Sequence, residues 1–204
     1  MSKKIQPGHS TETEMGMERI VFFSDAVFAI AITLLALEIR LPDVEGISNA
    51  ELLQNLLSIW PKYLGYMVSF LGIGNFWVVH HRQFQYIKRY DTRLLFINLI
   101  ALMAVAFVPF PTAVISENGN RTGTIFYALT MSAVGFMSTT IWIYSTYKRR
   151  LVDADLSAAI VRRGVLRTLS APMVLLLSVG LAFIDPDFAK YSWILIAPAV
   201  FLVK

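Results

Sequence analysis

Cysteine is absent from the chain, which excludes disulfides and thiolate chemistry and leaves the redox compartment unmarked. Histidine is scarce: only His9, His80 and His81 occur, too few and too scattered for a closed zinc site within one chain. Charge is thin as well. Charged residues make up 16% of the sequence, against about 25% in an ordinary soluble domain. Hydrophobic residues reach 56% and mean hydropathy is +0.58, a balance that indicates a bilayer as solvent. The H-E-x-x-H and G-x-S-x-G motifs of common hydrolases are missing, and the adjacent His80 and His81 project from different helix faces. The chain is therefore not read as an enzyme, and no cofactor or resident metal is expected. A net charge of +4 does not argue for nucleic acid, because the basic residues are confined to a few loops.

What the sequence has is long apolar runs. A helix needs roughly 20 mostly apolar residues to cross the hydrocarbon core, and six stretches qualify as candidates: Ile20–Ile39, Trp60–Val79, Leu94–Ile115, Thr124–Tyr147, Val165–Ile184 and the shorter Tyr191–Val203. The expected fold is thus an all-α integral membrane protein of six helices. A polar N-terminal segment, 1–19, precedes a transmembrane domain, 20–204. The first run is too long for the apolar core of a signal peptide and contains Asp25, so it reads as a retained helix.

Charge fixes the orientation. Of the 18 Lys and Arg residues, all but Arg40, Lys62, Arg121 and Lys190 fall on one side of these spans. The opposite loops hold Asp43, Glu45, Glu51, Glu117, Asp185 and Asp187. The positive-inside rule puts both termini in the cytoplasm, which an even number of spans requires. Pro109 and Pro111 should bend or end the third helix, and Leu151, Leu156, Ala159 and Ile160, set among charges, suggest an amphipathic helix along the inner surface.

The first run carries the chemistry. An ionised side chain at the bilayer centre costs about 2.5–3.5 kcal/mol on insertion scales, so even near a membrane face Asp25 needs a partner. The plain reading is a helix-start device, with Ser24 or Asp25 as cap and Arg19 reaching lipid phosphate. The second run ends in Trp77, His80 and His81, whose N–H groups suit a buried carboxylate, and Asp25 is expected to join that cluster and lock the two helices together. Ile30, Thr33, Leu34 and Leu37 share one helical face. Asp25 lies about 140° from Ile30 around the helix, off that face.

Arg19 to Asp25 reads R-x-x-x-F-S-D and continues as AVFAIAITLLALEIRLP; Phe76–Arg82 reads FWVVHHR. These segments resemble the TMEM175 family, lysosomal potassium channels in animals with prokaryotic relatives, and the likeness covers nearly the whole chain. Animal members carry two such repeats and pair as dimers. This chain holds the motif once and shows no internal repeat, so the resemblance implies a homotetramer. It also implies that the first helices line the pore in the cell membrane, with Ile30 at the narrowest ring. Thr33 or Leu34, then Leu37, come next. Arg19, Phe23, Ser24 and Asp25, with Trp77, His80 and His81, would hold helices together rather than touch the ion.

The expected function is a potassium channel of modest selectivity over sodium. The T-V-G-Y-G filter is absent, so selection cannot rest on its carbonyl cage. A ring of isoleucines offers no ligand and acts as a hydrophobic constriction, with Thr33 assigned to selectivity and Leu34 and Leu37 as further constrictions. No span carries regularly spaced arginines, which argues against strong voltage gating. The rivals are a proton channel or proton-coupled transporter using Asp25 with His80 and His81, and a purely structural membrane subunit.

Overall fold

In hydrocarbon each backbone N–H must find its partner inside its own segment, which leaves a chain with this composition little choice but helix. The computed structural model describes residues 7–41, 46, 48–196 and 198–199. It is helical, with α1 (Pro7–Leu37), α2 (Asn49–Ser58), α3 (Trp60–Tyr86), α4 (Thr92–Phe107), α5 (Pro109–Glu117), α6 (Arg121–Thr146), α7 (Ala158–Ala182) and α8 (Pro186–Ser192) in chain order. The only pairing of extended backbone among the described residues is an isolated bridge between Ile87 and Val152.

Among the described residues four segments are long and apolar enough to cross a bilayer: Glu14–Leu37, Thr92–Glu117, Arg121–Arg149 and Ala158–Ala182. A fifth is the pair α2 and α3, bent by 45° at Ile59. The expected sixth crossing, Tyr191–Val203, is not one long helix among the described residues. The end of α8 and a 3₁₀ turn, Trp193–Leu195, occupy its beginning, and 197 and 200–204 lie outside those described. The chain is a multi-pass membrane protein, and six crossings is a larger count than these helices supply by themselves.

Other departures have local causes. Helix α1 is already under way at Pro7, so residue 20 is not a helix start, and neither Ser24 nor Asp25 acts as a cap. The third run is divided at Pro109, which has no N–H to return to the preceding turn; α4 ends at Phe107 and α5 begins with the proline. The segment expected along the inner surface is not a separate helix. Leu151 and Val152 are buried, and the Leu151 carbonyl accepts from the amides of Lys88 at 2.8 Å and Arg89 at 3.2 Å. Ala159 and Ile160 belong to the first turn of α7, capped by Ser157.

Helix α6 packs most extensively on α7. Gly135 permits this closeness: a Cβ there would meet the ring of Pro172 at 2.9 Å. A first core gathers Phe28, Ala31 and Leu35 of α1 with Ile73 and Phe76 of α3, Leu102 and Val105 of α4, Val134 of α6 and Leu175 of α7. A second, at the basic end, joins Ile20, Phe84, Ile87, Leu94, Ile141, Leu151 and Val152.

Candidate functional site

The two sides of α1 differ in kind. Ser24, Phe28, Ala31 and Leu35 recur at helical spacing and are all buried against the bundle. The other side is left open by the described residues: Ile30 is 58% exposed, Leu34 40% and Leu37 61%. Thr33 is exposed beside them, its hydroxyl donating to the Ile30 carbonyl at 2.9 Å.

The buried side is fixed by polar bonds to two other helices. The Ser24 hydroxyl donates to the Ile20 carbonyl at 2.8 Å and accepts from the Asn98 side-chain amide at 3.0 Å. The Asn98 amide oxygen lies 2.9 Å from His80 Nε2. Since that oxygen can only accept, His80 carries its proton on Nε2. Its Nδ1 is then a bare acceptor, buried and without a partner among the described residues. Phe84 stacks on the His80 ring at 4.3 Å between centroids, and Phe28 tilts against it at 5.5 Å. A second bond runs beside the first: the Trp77 indole N–H donates to Asp25 Oδ1 at 2.8 Å. Helix α1 is thereby held to α3 through Trp77 and, by way of Asn98 on α4, through His80.

The expected cluster is therefore redistributed. Trp77 reaches Asp25, but His80 turns to Asn98, and His81 sits on the exposed side of α3 with its Nε2 3.1 Å from the Gln85 amide. Neither histidine bonds the carboxylate: His80 turns to Asn98, and His81, on the Trp77 side with its ring 5.7 Å from the indole, lies one turn farther along α3. Phe23 is exposed. Arg19 is exposed too and makes no ion pair among the described residues. No group of three His, Asp or Glu among these residues is placed to hold a metal ion.

Asn98 is the member that sequence reasoning missed. The signal was available: apart from Thr112 it is the only polar side chain in the run Leu94–Ile115, and an amide inside hydrocarbon needs partners.

The profile described as "Endosomal/lysosomal potassium channel TMEM175" matches residues 19–109, a stretch that contains every side chain of this anchoring network. A potassium channel of Streptomyces collinus is 40% identical over 172 residues, covering 82% of this chain and 82% of that one. The chain belongs to the TMEM175 channel family. A crystal structure described as a lysosomal potassium-selective channel TMEM175 homolog from Chamaesiphon minutus superposes with a TM-score of 0.80 at 32% identity. That match covers 93% of this chain and 99% of the other. A Gallus gallus protein described as endosomal/lysosomal proton channel TMEM175 is 32% identical over 126 residues, 59% of this chain and 25% of its own length. The TMEM175 family thus includes members named for potassium and members named for protons.

Proposed function

We propose that four copies of this chain form a potassium channel in the cell membrane, each crossing six times with both termini cytoplasmic, the pore lined by α1. The observation that carries this reading is the two-sidedness of α1. Polar bonds anchor one side to α3 and α4, and the other presents Ile30, Thr33, Leu34 and Leu37 uncovered. A helix pinned from behind and bare in front suits a pore wall that must hold its position while ions pass.

Ile30 forms the narrowest ring. Four isoleucines bring no ligand, so a narrow ring dewets and blocks, and a wider one passes a partly hydrated ion. Leu34 and Leu37 extend the apolar lining. Thr33 supplies the polar step: with its proton given to the Ile30 carbonyl, the hydroxyl oxygen keeps both lone pairs for a cation. Potassium sheds water more easily than sodium, so partial dehydration at this level favours potassium modestly. Ser24 and Asp25 act behind the pore, with Trp77 and His80, as positioning residues, while Arg19 and Phe23, exposed in the single chain, hold helices together between neighbouring copies. The naming of the Streptomyces collinus relative as a potassium channel supports the choice of ion.

The test is potassium flux from liposomes that contain the purified protein, wild type beside Ile30→Asn, with sodium for comparison. Flux that rises at least severalfold with the polar substitution is expected. Absence of flux from both proteins, shown to be folded and inserted, would remove the potassium channel and leave the proton pathway or a structural subunit.

The proton reading is favoured by the name of the Gallus gallus relative. It has weaker geometric support here, since Asp25 bonds Trp77 and neither histidine. Proton flux that persists through Ile30→Asn and vanishes in Asp25→Asn would make it the better account.

A further inference from the structure

At the basic end of the bundle, α3, α6 and α7 leave between them a cleft of about 430 Å³. Three guanidinium groups line it: Arg82 from α3, and Arg163 and Arg167 from α7. Arg163 and Arg167 are four residues apart and so share a helical face, where like charges repel. No Asp or Glu lines the cleft, and none of the three arginines forms an ion pair among the described residues. Charges gathered this way are unfavourable unless an anion joins them.

Two buried polar atoms of residues that line the cleft also lack partners among the described residues. Arg167 Nε is a donor with nothing to donate to. Gln83 is only 4% exposed; its amide nitrogen donates to the Ser138 carbonyl at 3.0 Å, while its oxygen accepts nothing. The cleft therefore offers charged donors around an anion, and Gln83 in its lining carries a buried acceptor with no partner among the described residues. Chloride satisfies the first requirement and not the second. A phosphate that carries or adjoins an O–H satisfies both, and guanidinium forks match phosphate oxygens in geometry as well as charge.

We propose that this cleft binds a phosphate group with a hydroxyl donor, held by Arg82, Arg163 and Arg167 with Gln83 receiving the hydroxyl. Two sources share that chemistry: an anionic lipid headgroup such as phosphatidylglycerol, and free hydrogen phosphate. The occupant would bridge α3 and α7 at the membrane surface, on the helix that holds α1 through Trp77 and His80.

The test titrates delipidated full-length protein in detergent by native mass spectrometry, with phosphatidylglycerol or phosphatidylcholine of identical acyl chains. Wild type should prefer phosphatidylglycerol by about tenfold, the worth of one charge-assisted hydrogen bond. Arg163→Gln should remove most of that preference, and Arg162→Gln, one charge fewer on the same helix outside the cleft, should keep it. Arg163→Gln suffices if a double variant with Arg167→Gln fails to fold, since Arg163 is exposed. Displacement of phosphatidylglycerol by millimolar inorganic phosphate, lost in Arg163→Gln, would assign the site to the free anion; no displacement would assign it to the lipid. Equal affinity for the two lipids with no phosphate binding, or an equal loss from Arg162→Gln and Arg163→Gln, would overturn the proposal.

Discussion

Asn98 and Thr33 are polar side chains of the bundle in opposite surroundings, one buried and one exposed. Asn98 is buried and bonds α1 and α3 together; cut to alanine, it leaves the His80 N–H unpaired in a ring whose Nδ1 has no partner among the described residues either. A wholly unsatisfied imidazole and a serine hydroxyl short of a donor should together cost about 1–2 kcal/mol in a membrane bundle. Asn98→Ala should therefore lower the melting temperature of the detergent-solubilised protein by several degrees. An unchanged melt would mean that water replaces the amide at no cost. Among the described residues Thr33 bonds only to its own helix, so Thr33→Ala should leave the melt where it is. Its effect belongs to permeation: the ratio of potassium to sodium flux in liposomes should fall toward one. A ratio equal to wild type would remove the threonine from selectivity.

At the scale of elements, the basic end is closed by a clasp built on one carboxylate. Asp91 accepts from the Leu94 amide at 2.9 Å to cap α4, takes the Tyr144 hydroxyl of α6 at 2.7 Å and pairs with Arg150 at 3.1 Å. Partial burial acts to raise its pKa, but the Leu94 amide, the Tyr144 hydroxyl and Arg150 outweigh that and hold the carboxyl below the ordinary aspartate value. A folded value below the unfolded one, near about 3.9, contributes stability above that pH and loses it as pH falls through the folded value. Asp91→Asn keeps a good cap and removes the charge. The variant should be less stable than wild type by about 1 kcal/mol at pH 7, with the gap closing below about pH 4 in thermal melts. A gap independent of pH would show that packing, not charge, is what the substitution disturbs. This clasp was not legible in the sequence, because it joins residues far apart in the chain through a loop that lacks any periodicity. The long helices were legible because apolar length is read directly from the residues; so was the break at Pro109, since the missing N–H acts locally. Asp25 was legible as a residue in need of a partner, and Trp77 as a suitable donor. The share of each histidine was not, since it depends on which face of α3 meets α1.

For the molecule as a whole, the unequal covering of α1 is an argument about assembly. Only 28% of the apolar window of this helix is buried within its own chain, against 56% for that of α6. Lipid could cover the remainder, as it covers the outer face of any span, so exposure alone does not select a pore. Polar anchoring alone does not either, since buried polar bonds join lipid-facing helices as well; the proposed pore wall needs copies of α1 to meet around an axis. The absence of cysteine turns this into a clean experiment. Leu37 and Phe183 are each 61% exposed in the single chain, one near the end of α1 and the other just past the end of α7. If α1 lines a shared pore, Leu37→Cys side chains of neighbouring copies approach one another around the axis, and mild oxidation in membranes should give chain dimers on a non-reducing gel. Phe183→Cys, turned to lipid, should stay monomeric under the same treatment. Cross-linking of both would indicate random collision, and cross-linking of Phe183→Cys alone would put α7 at the subunit contact. Only the Leu37→Cys result gives Ile30 and Thr33 an axis around which four copies can form a ring.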